Sequence, residues 1–167
     1  MASSFPAVSR RKALSIGIAA AAASAILPAL AFDAGSTAAI NVDTAGLAIR
    51  GYDPVAYFTV GKPTRGDAKF TAKHDGATYH FASAANRDAF QKEPAKYAPQ
   101  FGGFCAMGAV MEKKFDGDPN LWKIVDGKLY LNVSEPAQKR WLTDTAGYIK
   151  QANQNWPKIK DKAPNTL

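Results

Sequence analysis

Residues 70–90 read FTAKHDGATYHFASAANRDAF. Asp75-Gly76 is the kind of pair that a two-residue type I′ hairpin turn favours, because both central residues need positive φ. A turn there sets His74 opposite Ala77, Ala72 opposite Tyr79 and Phe70 opposite Phe81. Residues opposite one another share a face of the hairpin. Phe70, Ala72, Tyr79 and Phe81 therefore make an apolar side, and Thr71, Lys73, Thr78 and His80 make the other. Ser83 then carries the hydroxyl an N-cap needs. Ala85, Ala89 and Phe90 form an apolar stripe, and Pro94 ends or restarts the helix near Lys92-Glu93.

The same grammar returns about fifty residues later in LWKIVDGKLYLNVSEPAQKRW, residues 121–141. Asp126-Gly127 makes the turn, and Ser134 opens a helix with Pro136 in its first turn. The turn Asp precedes the capping Ser by eight positions in both stretches, and the Ser precedes a bulky aromatic, Phe90 or Trp141, by seven. Tyr79 and Tyr130 also match. Two such units predict an α+β fold: a small antiparallel sheet built from two hairpin-plus-helix units, with short helices covering one side. A last helix is expected from Thr145 to Trp156, where Ile149, Ala152 and Trp156 sit at helical spacing and Pro157 stops the run. Ahead of the first hairpin, Leu47-Ala48-Ile49 reads as a short strand and Val55–Phe58 as an apolar run of either type.

The first 31 of the 167 residues read as an address. Arg10, Arg11 and Lys12 form a basic n-region, Leu14 to Leu27 is an alanine-rich apolar run, and Ala29-Leu30-Ala31 is a small-x-small cleavage site. The run is shorter than the roughly 20 residues a spanning helix needs, so no stable membrane anchor is expected after cleavage. Ser9-Arg10-Arg11-Lys12 resembles a twin-arginine export signal, with Ala13 where that pattern has Phe. The expected product is periplasmic and begins at Phe32. Residues 32–46 read as a flexible lead-in, 47–157 as one globular domain and 158–167 as a polar tail. Without the leader's three basic residues the formal charge of +7 falls to +4. That charge is mild and scattered, which argues against a nucleic-acid partner.

Two histidines, His74 and His80, and the single Cys105 are the strongest ligand candidates. Cys105 follows Gly102-Gly103-Phe104, and Met107 adds a thioether close by. Thiolate, thioether and imidazole together suit copper first and zinc next. Cys105 also fits the role of a small buried hydrophobe. His80 also fits a covered, hydrogen-bonded position, since its counterpart in the second unit is Leu131. Asp53, Asp75, Asp116 and Asp118 all lie in Gly/Pro contexts that turn formation accounts for. No nucleophile elbow, zincin motif, phosphate loop or dinucleotide fingerprint is present.

GYDPVAYF at 51–58, GATYHFASAANRDAF at 76–90, EPAKYAPQFGGFCA at 93–106 and WKIVDGKLYLN at 122–132 resemble a YHS domain protein of the exported, single-domain bacterial form. The resemblance spans Leu47 to Trp156 and implies a treble-clef-like relationship. Relatives carry proposed metal-ligand cysteines in D-P-V-C and F-C-S-x-x-C segments. The corresponding places here are Ala56, Ala82 and Asn86, so a thiolate site of that kind cannot be built. The resemblance then implies a non-enzymatic binding module for copper or zinc, held by Cys105 with His80 and Met107. A metal-transport or metal-tolerance protein is the implied partner. A metal-free interaction or scaffold domain and a thiol-dependent enzyme using Cys105 are the alternatives.

Overall fold

A computed structural model describes residues 32–167; the expected export signal, its apolar run and the expected cleavage site after Ala31 lie outside the described residues. A short helix α1 (Ala56–Thr59) leads into hairpin β1 (Asp67–His74) and β2 (Ala77–Phe81), then α2 (Ala84–Lys92) and α3 (Pro94–Tyr97). The second half repeats the order. Helix α4 (Ala106–Val110) precedes hairpin β3 (Asp118–Val125) and β4 (Lys128–Asn132), then α5 (Glu135–Thr143) and α6 (Thr145–Ile159).

Both predicted turns form, with Asp75 and Gly76 at φ +48° and +80°, and Asp126 and Gly127 at +49° and +70°. The Ser83 hydroxyl accepts from the Asn86 N–H at 3.1 Å, and that of Ser134 from the Ala137 N–H at 3.4 Å. Phe90 packs on Tyr79 and Phe81, with ring centroids 4.8 and 5.1 Å apart, as Trp141 packs on Tyr130 at 5.4 Å. Burying an aromatic of this size contributes about 2–3 kcal/mol, so each helix is held to its hairpin chiefly by one ring.

Four expectations need correction. Phe70 does not pair with Phe81, because a bulge between Asp67 and Thr71 puts Phe81 opposite Asp67. The second hairpin carries the same bulge, with Asn132 opposite Asp118. The cause is local and shared: the Asp67 and Asp118 carboxylates each accept the N–H two residues on, at 2.8 Å, and bend the strand entry into an Asx turn. Second, the hairpins form two separate two-stranded sheets rather than one. The outer edge of β2 is already taken by Leu47 and that of β4 by Cys105, each in a parallel bridge. This α+β arrangement carries no mark specific to a treble clef. Third, α6 runs through Pro157 to Ile159, since a proline so near the C-terminus removes only one bond and the Lys160 N–H still reaches the Trp156 carbonyl at 2.9 Å. Fourth, Leu47–Ile49 is no strand: it makes isolated bridges and then turns left-handed at Ile49 and Arg50, both at φ +50°.

The two units share their packing. Leu129 and Leu131 face the core of the first hairpin, while Tyr130, on the opposite side of β4, joins Phe101, Met107, Trp141 and Ala152 in a second cluster. Tyr57 crosses between the units: its hydroxyl donates to the Pro119 carbonyl at 2.9 Å and its ring meets Trp122 edge-on at 5.1 Å.

The lead-in and tail are fastened by one residue. Lys114 is 2% exposed, and its ammonium donates to the carbonyls of Ala38, Lys160 and Lys162 at 2.9, 2.9 and 2.7 Å. Burial pulls this lysine from 10.5 down to about 8, partly offset by Asp161. Between those values the unfolded chain holds a proton that the folded chain has lost, so stability rises with pH through this window. The contribution is complete above the unfolded value and is lost as pH falls through about 8. Chemical denaturation of the parent and Lys114→Met between pH 7.5 and 10 should show the parent gaining on the variant, by on the order of 1–3 kcal/mol. A difference that stays flat or shrinks would refute the assignment.

Candidate functional site

The three places where the resemblance puts cysteines converge on one carboxylate. Asp53 is 0% exposed. Its Oδ1 accepts from the Val55 and Ala56 N–H groups at 2.8 and 3.3 Å, and its Oδ2 from the Ala82 N–H and the Asn86 carboxamide at 2.9 and 2.6 Å. Ala56, Ala82 and Asn86, which stand where the resemblance puts thiols, therefore all donate to Asp53. The knot ties the loop before α1 to the β2–α2 junction. A buried carboxylate with four donors and no cation partner among the described residues is satisfied by hydrogen bonding. The residues at these positions do not fit a thiolate-bound metal: no sulfur is present, and every donor already has its acceptor.

Cys105 is the counterpart of Asp53 in the second unit. Ile49, Arg50 and Gly51 run left-handed at φ +50°, +50° and +76° ahead of Tyr52-Asp53. Phe101, Gly102 and Gly103 do the same at +53°, +61° and +84° ahead of Phe104-Cys105. As Asp53 accepts from the N–H groups that open α1, the Cys105 Sγ accepts from the Gly108 N–H at 3.3 Å and caps α4. Its thiol lies 3.6 Å from the Oδ1 of the buried Asn132, which also accepts the Met107 N–H at 3.3 Å. Burial pushes the thiol up, against the pull of the Gly108, Val133 and Met107 N–H groups. A buried, protonated sulfur is a poor nucleophile, so the thiol-enzyme alternative lacks the exposed low-pKa cysteine it needs.

Cys105 and Met107 share the second core cluster. His80 lies elsewhere, opposite Thr71 on the first hairpin, with Gly51 and Gly66 packed over it. A Cβ at Gly66 would come within 2.6 Å of the His80 Cβ, so the histidine is covered by close backbone approach. His74 is half-buried, edge-on to Phe90 at 5.8 Å and 3.3 Å from the Asp75 carboxylate. Among the described residues no three His, Cys, Asp or Glu side chains gather as a metal cluster.

A second place has the size of a binding site. A groove of about 520 Å³ opens where the hairpin tips, the link between the units, the lead-in and α6 meet. His74, Gln100, Phe101, Lys128 and Trp156 line it. Sequence reasoning missed both places. Asp53 carried a signal in its Asp-Pro turn, but its other partners lie 29 and 33 residues away. The groove joins segments with no common motif.

Fold and site together define a small α+β protein built from two hairpin-and-helix units. Residues 55–101 match the family model of the YHS domain, a non-catalytic binding module, and a YHS domain is therefore present in this chain. The expected single-domain form is overturned: the match covers the first unit, while some 60 further residues build the second hairpin-and-helix unit outside it. No curated protein and no solved structure matches the chain. No described helix is long and apolar enough to cross a membrane.

Proposed function

We propose that this YHS-containing chain is a non-enzymatic binding module that works without a resident metal and recognises its partner through its surface. The observation that carries this is the Asp53 knot, where one buried carboxylate engages all three places that hold cysteines in metal-associated relatives. The leader read from residues 1–31 supports export to the periplasm as its place of work.

A copper or zinc site using Cys105, His80 and Met107, serving a metal-transport or metal-tolerance protein, is the competing reading. It would need His80 to leave the cover that Gly51 and Gly66 make over it, and Cys105 to give up its cap on α4. Titration of the folded protein with Cu(I) and Zn(II) against a chromophoric competitor separates the two. The expected result is weak binding, unchanged within about twofold by Cys105→Ala and His80→Ala, since independent surface sites do not couple to buried ones. Stoichiometric binding that both variants abolish would overturn the metal-free reading.

A further inference from the structure

We propose that the lead-in, residues 33–41, and the tail, residues 160–167, form one strap latched by Lys114, which opens as a single unit and bares Phe104. The inference goes beyond the metal-free reading: it stands on a different part of the molecule, and the two can fail separately. Both segments lie outside the two hairpin-and-helix units. They touch each other directly, where the Asn165 N–H donates to the Ala34 carbonyl at 3.0 Å. They also meet on one side chain. An ammonium has three donors, and those of Lys114 go to Ala38 on the lead-in and to Lys160 and Lys162 on the tail. The Phe104 ring lies 4.6 Å from the same nitrogen, and Phe32 packs edge-on against it at 6.2 Å. Phe104, 3% exposed, therefore takes part of its cover from the strap and its latch.

This arrangement makes each segment depend on the other. If the lead-in lifts, Lys114 loses Ala38 and the Asn165 N–H loses its acceptor. If the tail lifts, two of the three ammonium donors are stranded. A buried donor without a partner is costly, and more so when it is charged. A state with one segment docked and the other free is thus disfavoured against both docked or both free. Asn41 holds the inner end of the lead-in: its N–H donates to the Gly102 carbonyl at 2.8 Å, and its carboxamide to the Gly103 carbonyl and Asp116 at 3.3 and 2.8 Å. None of these bonds belongs to a hairpin, so the strap can open without unfolding either unit.

Amide hydrogen exchange of the full chain tests the strap. The Asn41 and Asn165 N–H groups, on different segments, should show protection equal within about threefold, as expected of one shared opening. Lys114→Met should speed both by about tenfold or more while amides paired across the hairpins keep their rates. Gly102→Ala pushes on the lead-in through Ala39 and meets no tail residue, yet it should speed Asn165 as well. Protection at Asn165 that survives Gly102→Ala, or an effect of Lys114→Met on one segment alone, would overturn the strap. Hairpin amides that accelerate by the same factor would also overturn it, because the opening would then be global.

Discussion

Asp53→Ala should lower the free energy of unfolding by about 4 kcal/mol or more, enough to leave much of the protein unfolded at 37 °C. The substitution removes the acceptor from three main-chain N–H groups and the Asn86 carboxamide, all in or beside a buried knot. A buried donor left without a partner costs roughly 1–3 kcal/mol, and four are affected at once. Asp53→Asn keeps the shape and one oxygen but turns an NH₂ group toward two donors, so an intermediate loss of about 2 kcal/mol is expected. Urea denaturation of both variants checks the ranking. Losses below 1 kcal/mol for alanine would show that the knot does not hold the loop before α1 to the helix α2 junction. Neither variant should alter metal binding, because the knot stands where the family's thiolates would be rather than beside a metal.

Gly102→Ala should be the second severe change, at about 2–4 kcal/mol. Gly102 sits at φ +61°, a conformation that costs a residue with a Cβ about 1–2 kcal/mol. A Cβ there would also run into the carbonyl oxygen of Ala39, so the lead-in would have to lift from the link between the units. The Asn41 N–H, bonded to the Gly102 carbonyl at 2.8 Å, should then lose its protection from hydrogen exchange. Gly127→Ala is the control. It has the same sign of φ, +70°, but nothing within 4 Å of the added methyl, so it should show the backbone cost alone. Equal losses at the two glycines would mean that the lead-in does not pack on Gly102.

Turns and caps were legible in the sequence because their causes are local. Asp75-Gly76, Asp126-Gly127, Ser83 and Ser134 each specify their conformation within three or four residues, and all four behave as read. The repeated spacing carried further, since Phe90 and Trp141 occupy matching places over their hairpins. Strand register was half legible. The pairs near the turn form as expected, whereas Phe70 and Phe81 are separated by the Asx turn at Asp67, a side-chain bond that alternation of apolar residues does not reveal. The two hairpins stay apart because Leu47 and Cys105, remote in sequence, occupy the edges that a single sheet would use.

The candidate site was less legible for the same physical reason. Cys105 and Met107 lie close in sequence and do share a core cluster, but the pairing of Cys105 with Asn132 depends on a contact across 27 residues. His80 drew notice as one of two histidines, yet its surroundings are set by Gly51 and Gly66, whose lack of a side chain allows the backbone to cover it. Asp53 read as a turn residue, and it is one: its Oδ1 makes the turn, while its Oδ2 makes the knot.

Metal analysis of the protein, purified from its native cells without chelators and without added metal, bears most directly on a chain in which Ala56, Ala82 and Asn86 are tied to Asp53. Copper and zinc well below one atom per chain, in protein that remains folded, is the predicted result. One tightly held copper or zinc per chain, lost together in Cys105→Ala and His80→Ala, would contradict it.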